Sequence, residues 1–171
     1  MSQYETLFFQ MQSELSKLEH AVQTDNKLIA ALETVEENSD AYEGIVGGIA
    51  MNLQSAYTGI ERTLLAISKQ IDNTVPKGAQ WHQSLLTQMI EKTDGRPAVL
   101  SENTVQVLRP LLGFRHVVRN AYSYTLDVGK VLENANRLST CFTNFAYDCL
   151  ALQCALTNPA PIEDQNRSEE A

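Results

Sequence analysis

The chain has 171 residues, 43% of them hydrophobic and 20% charged, proportions of a globular domain large enough to bury a core without disulfide or metal staples. Its net charge of −8 excludes a protein that coats nucleic acid with its whole surface. The charge is uneven, however: residues 101–130 hold four bases (Arg109, Arg115, Arg119, Lys130) and two acids (Glu102, Asp127), leaving room for a local anion site.

In chain order, Phe8, Met11, Leu15, Leu18 and Val22 alternate steps of three and four, and Ile29 and Leu32 resume the seam after Asp25 interrupts it. This predicts a long first helix over about 2–36, its apolar seam in need of a partner, with His20 on the exposed side. Glu36 to Asp40 reads as a connector. A second helix is expected over about 41–73, with Ile45, Ile49, Leu53, Ala56, Ile60, Leu64 and Ile67 inward. Gly44, Gly47 and Gly48 lower its helix propensity and lack the ending of a phosphate-binding loop, so they predict close helix packing. Pro76 and Gly78 end this helix, and Trp81 to Lys92 forms a short third one with Trp81, Leu85 and Met89 inward.

Ser101 reads as the N-cap of a helix over about 102–112, which Pro110 and Gly113 bend before a further helix starts near Phe114. Asp127 reads as the cap of a last helix over about 128–157, stopped by Pro159. Cys141, Cys149 and Cys154 fall within it at spacings that match no zinc or CxxC pattern, which predicts buried reduced thiols and no metal. The expected fold is all-α, an up-down bundle of five or six helices, with one domain over 1–158 and an acidic, disordered tail over 159–171. No signal peptide or membrane span is expected, so the protein reads as cytoplasmic with no membrane contact.

The stretch Arg115-His116-Val117-Val118-Arg119-Asn120-Ala121-Tyr122 carries the chemistry. At about 100° per residue, Tyr122, Arg115, Arg119, Ser123, His116 and Asn120 share one side of a helix, and Phe114, Val117, Val118 and Ala121 the other. No acid lies between Arg115 and Asp127. Arg115 and Arg119 then either bind a phosphate or pair with acids of the first helix, and Glu61 is a further partner for either. Arg62 is placed to contact a neighbouring helix. His82, at a helix start beside Trp81, reads as a structural histidine.

These residues carry a resemblance. Arg115-His116, followed after three residues by Asn120-Ala121-Tyr122, resembles the Arg-x4-His-x-Tyr signature of HEPN proteins, specifically the HepT-like group. Tyr57-Thr58-Gly59-Ile60-Glu61-Arg62, then Trp81-His82 with Leu85, Leu86 and Met89, and finally Phe114-Arg115-His116-Val117-Val118-Arg119 are similar to further segments of that group, in the same order. Together they span most of residues 40–130. The resemblance implies a helical homodimer whose motif helices face each other across a cleft. It also implies a metal-independent ribonuclease or trimmer of tRNA ends, needing no cofactor. The implied setting is a toxin–antitoxin or antiphage module, with a minimal nucleotidyltransferase antitoxin that adds AMP to the motif tyrosine. By position Arg115 is the phosphate-binding arginine, Asn120 fills the slot of the catalytic histidine, and Tyr122 is the modifiable tyrosine.

The departure at Asn120 matters chemically. Cleavage of RNA without a metal uses the adjacent 2′-hydroxyl as nucleophile, so a base must take its proton while a cation stabilises the phosphorane. Arginine suits the second task and histidine the first; asparagine cannot take up a proton in water. His116, about 40° from Asn120 and one turn earlier, is the substitute base. Two readings follow: a ribonuclease with a degenerate motif, using Arg115, Arg119, His116 and Asn120 on RNA, or a non-catalytic HEPN dimer that binds nucleotide, RNA or a partner protein.

Overall fold

The computed structural model describes residues 4–121 and 125–158. Five helices make up the described chain: α1 (Glu5–Leu32), α2 (Asp40–Gln70), α3 (Trp81–Ile90), α4 (Glu102–Asn120) and α5 (Val128–Thr157). Among these residues the one β feature is an isolated bridge between Thr93 and Arg96. No described helix is long and apolar enough to cross a membrane. The segment from Pro159 to Ala171, expected to be a disordered tail, lies outside the described residues.

The bundle is organised around α2, which touches each of the other four helices. Its inward residues Ile49, Leu53, Ala56, Ile60, Leu64 and Ile67 are all buried, as their spacing predicts. The seam of α1 packs on α2 and α5. Asp25, read as an interruption of that seam, is instead buried within it and accepts a hydrogen bond from Asn52 Nδ2 of α2 at 2.9 Å. Apolar neighbours at Leu18, Ala21 and Leu32 carry the carboxyl group inward with them. The glycines near the start of α2 meet α1 only in part: a Cβ on Gly48 would lie 3.6 Å from Leu28 Cδ1 of α1, but the closest approach is further along. A Cβ on Gly44 would meet nothing within 4 Å, whereas one on Gly59 would come 2.9 Å from Glu14 Oε2.

The expected bend between two helices at Pro110 and Gly113 does not occur: α4 runs without interruption from Glu102 to Asn120 with Pro110 inside it. Proline removes one backbone hydrogen bond and costs about 3 kcal/mol in a helix interior. Here it is flanked by Leu108, Leu111, Leu112 and Phe114, all buried on one face. Each such side chain contributes about 1.5–3 kcal/mol when buried, which outweighs the defect. Local breaker residues lose to tertiary burial.

The helix starts follow the expected caps. Ser101 Oγ accepts from the Thr104 amide at 3.3 Å, and Asp127 Oδ1 from the Lys130 amide at 3.0 Å. Asp148 of α5 reinforces the first of these: its Oδ2 accepts from Ser101 N at 2.9 Å and from Thr104 Oγ1 at 2.6 Å, fastening the start of α4 to α5. The connector from α3 to α4 is fastened by the fully buried guanidinium of Arg96. It donates to Asp72 Oδ1 at 2.7 Å and Oδ2 at 2.6 Å, and to the carbonyls of Gln88, Glu91 and Pro97. This clamp ties the end of α2 to α3. Of the three cysteines, Cys141 and Cys149 are buried, but Cys154 is exposed: five residues after Cys149 it lies on the outer side of α5, whose Leu152 is buried.

Candidate functional site

Three helices bring polar side chains together on one side of the bundle. From α2 come Tyr57 and Glu61, four residues apart and hence on one face; from the start of α3 come Trp81 and His82; from the last turns of α4 come Arg115 and His116. Glu61 is the hub. Its carboxylate is 4% exposed, with Oε1 hydrogen-bonded to His82 Nδ1 and Oε2 lying 3.4 Å from Arg115 Nη2. Of the alternatives for the arginines, Arg115 thus pairs with Glu61 of α2 and not with an acid of α1. Arg62, the next residue along α2, turns the other way and contacts α1 through Glu14 at 3.5 Å.

Arg115 is held in an unusual state. Its side chain is 12% exposed, and its Nε and Nη1 are buried with no hydrogen-bond partner among the described residues. Each buried unpaired donor costs about 1–3 kcal/mol. Two orphaned donors of a guanidinium, both able to bind the oxygens of an oxyanion, mark a place where the fold tolerates cost. Tyr57 lies beside this pair. Burial, and then the charge of Glu61, raise its phenol well above the ordinary tyrosine value, against the opposing pull of Arg115, so it stays protonated.

His82 stacks on Trp81, with ring centroids 3.6 Å apart, and meets His116 edge-on at 5.7 Å. Its Nε2 has no hydrogen-bond partner among the described residues and is not a buried atom. His116 itself is exposed and lines a cavity of about 300 Å³ between α3 and α4, together with Gln83, Thr87 and Arg109. Arg109, counted among the bases of 101–130 but given no role of its own, lies two turns before His116 on the same side of α4.

Several expected positions are placed differently. Arg119 and Asn120 are exposed, as a polar face requires, but Val117, assigned to the apolar side, is 55% exposed. Asn120 Nδ2 donates to the His116 carbonyl at 3.0 Å, so its amide is occupied by its own helix. That helix ends there: Ala121 has extended backbone, φ −103° and ψ 146°. Tyr122 and Ser123, expected to continue the polar side of this helix, lie outside the described residues. Among the described residues no cluster of three His, Cys, Asp or Glu side chains could hold a metal.

An all-helical bundle with an arginine–histidine cluster at the end of one helix is of the HEPN-like class. The family model described as HepT-like protein matches residues 48–155, which include all of the cluster, and the chain belongs to that family. No curated protein and no solved structure matches it.

Proposed function

We propose that this chain is a ribonuclease-type toxin of a toxin–antitoxin or antiphage module, acting in the cytoplasm on RNA, with tRNA as the leading substrate. In this reading two copies form a homodimer, and the cleft between their α4 helices holds the substrate. Arg115 and Arg119 bind the scissile phosphate and stabilise the charge that develops on it, and Asn120 orients a hydroxyl while His116 exchanges protons. A minimal nucleotidyltransferase partner would silence the site by adding AMP to Tyr122, whose bulk and charge would block the cleft.

The observation that carries the reading is the state of Arg115. A HepT-like chain that buries a guanidinium with two unpaired donors beside two histidines keeps a costly arrangement that an RNA phosphate would relieve. The test is expression in a bacterial host together with incubation of purified protein with tRNA and mRNA. Growth arrest relieved by Arg115→Ala, with cleavage of one of these RNAs, is the expected result. Harmless expression with intact RNA would refute it. Co-expression with a nucleotidyltransferase should add the mass of one AMP, and mapping that mass elsewhere than Tyr122 would remove the assigned switch.

The alternative is a non-catalytic HEPN dimer that binds nucleotide, RNA or a partner protein through the same cleft. One observation favours it: the Asn120 amide is bonded to the His116 carbonyl and occupies the position where a proton acceptor is needed. An Asn120→His variant separates the two. Gain of cleavage from an inactive parent would mean that the scaffold is competent and the natural residue limiting.

A further inference from the structure

We propose that His82, held by Glu61, is the proton acceptor of this site; the inference rests on the ribonuclease reading and assigns its missing base. Nothing in the α4 motif supplies one at Asn120, and His82 reaches the cluster from a different helix.

The arrangement is that of a carboxylate-oriented imidazole. Glu61 is buried and takes the hydrogen bond of Nδ1, which fixes the tautomer with its proton on Nδ1 and leaves the Nε2 lone pair free. The stacked indole of Trp81 prevents the ring from turning. The His82 side chain is 13% exposed, and Nε2 has no partner among the described residues. A purely structural histidine at this place would be expected to have both nitrogens satisfied; this one has its inner nitrogen anchored to a buried acid and its outer nitrogen open. The same carboxylate faces Arg115, so base and phosphate-binding cation are held in register by one residue.

The step balances as follows. His82 Nε2 takes the proton of the 2′-hydroxyl as that oxygen bonds to phosphorus, and Arg115 stabilises the charge on the phosphorane oxygens. The bond from phosphorus to the 5′-oxygen breaks, and that oxygen takes a proton from the imidazolium of His116, whose ring lies 5.7 Å from that of His82. The products are a 2′,3′-cyclic phosphate and a 5′-hydroxyl, and solvent resets both rings. Glu61 touches no reacting atom and is a positioning residue. The cavity bordered by His116, Gln83, Thr87 and Arg109 would take the nucleotide beyond the scissile bond.

The experiment measures cleavage of full-length tRNA by the purified full chain, with kcat and KM for wild type, His82→Ala and Glu61→Gln, and melting curves for each. Loss of a general base costs about 10²–10⁴-fold. His82→Ala is expected to lose at least 100-fold in kcat with KM within threefold, and to recover part of it when free imidazole is added, which a structural role would not do. Glu61→Gln is expected to lose about tenfold in kcat at unchanged KM, and it decides the matter should His82→Ala fail to fold. Active wild type with His82→Ala or Glu61→Gln near wild-type kcat overturns the assignment and leaves the ribonuclease reading standing. Wild type without any cleavage overturns both.

Discussion

Asp25 makes stability depend on pH in a way that can be worked out from its surroundings. Its carboxyl group is 1% exposed between α1 and α2; Oδ1 accepts from Asn52, and Oδ2 has no partner. Burial pushes its pKa from 3.8 up to about 6, with the Asn52 hydrogen bond pulling part of the way back. Because the folded value lies above the unfolded one, the folded protein keeps a proton that the unfolded chain releases. The stabilisation this gives is fully present below about pH 4 and is lost as pH rises through about 6. A shift of about two units corresponds to about 3 kcal/mol. In Asp25→Asn the oxygen facing Asn52 is kept and the charge is removed, so this dependence should vanish. Urea unfolding of both proteins across this range is the assay, and subtracting the two curves cancels every other titrating group. Wild type is expected to lose about 3 kcal/mol relative to Asp25→Asn between pH 4 and pH 7.5. Parallel curves would mean that the carboxyl group is solvated and that α1 does not seat it against α2.

Three further outcomes test how the site is supported. Arg115→Met removes two unpaired donors and one contact with Glu61, which keeps His82 as partner; opposing terms of about 2–6 and 3–5 kcal/mol leave a change within about 3 kcal/mol. A loss above about 4 kcal/mol in urea unfolding would mean that Arg115 chiefly holds the fold. Asp72→Ala strips the buried Arg96 guanidinium of its two shortest bonds and should cost about 3–5 kcal/mol by the same assay; a cost under 1 kcal/mol would show that the backbone carbonyls suffice. A thiol reagent should titrate Cys154 alone in the native protein, because burial pushes Cys141 and Cys149 up to about 12. Rapid reaction of a second thiol before unfolding would contradict that burial.

The helices were legible because apolar spacing near 3.6 is set by the same burial that forms the bundle, and the caps at Ser101 and Asp127 because they act within three residues. Pro110 and Asp25 were misread for one reason. Each is a local signal whose outcome is decided by partners on other helices: the buried leucines beside Pro110, and Asn52 opposite Asp25. The site divides along the same line. Arg115 and His116 were recognisable from their own helix and from the family resemblance. Glu61 was one of several partners open to the arginines, and His82 had a structural reading, since spacing within one segment cannot say that residues 61, 82 and 115 converge.

That convergence changes the electrostatics of the octet that holds Arg115. Its lack of acids along α4 suggested a strongly positive face, but the fold brings Glu61 against Arg115 and so nearly cancels that charge at the centre. Arg115 and Glu61 together sum to about zero, so in the proposed ribonuclease reading long-range attraction of an anionic chain falls to the exposed Arg109 and Arg119, for neither of which an ion pair is found among the described residues. In that reading Arg115 acts at contact distance, where its two unpaired donors matter more than its net charge.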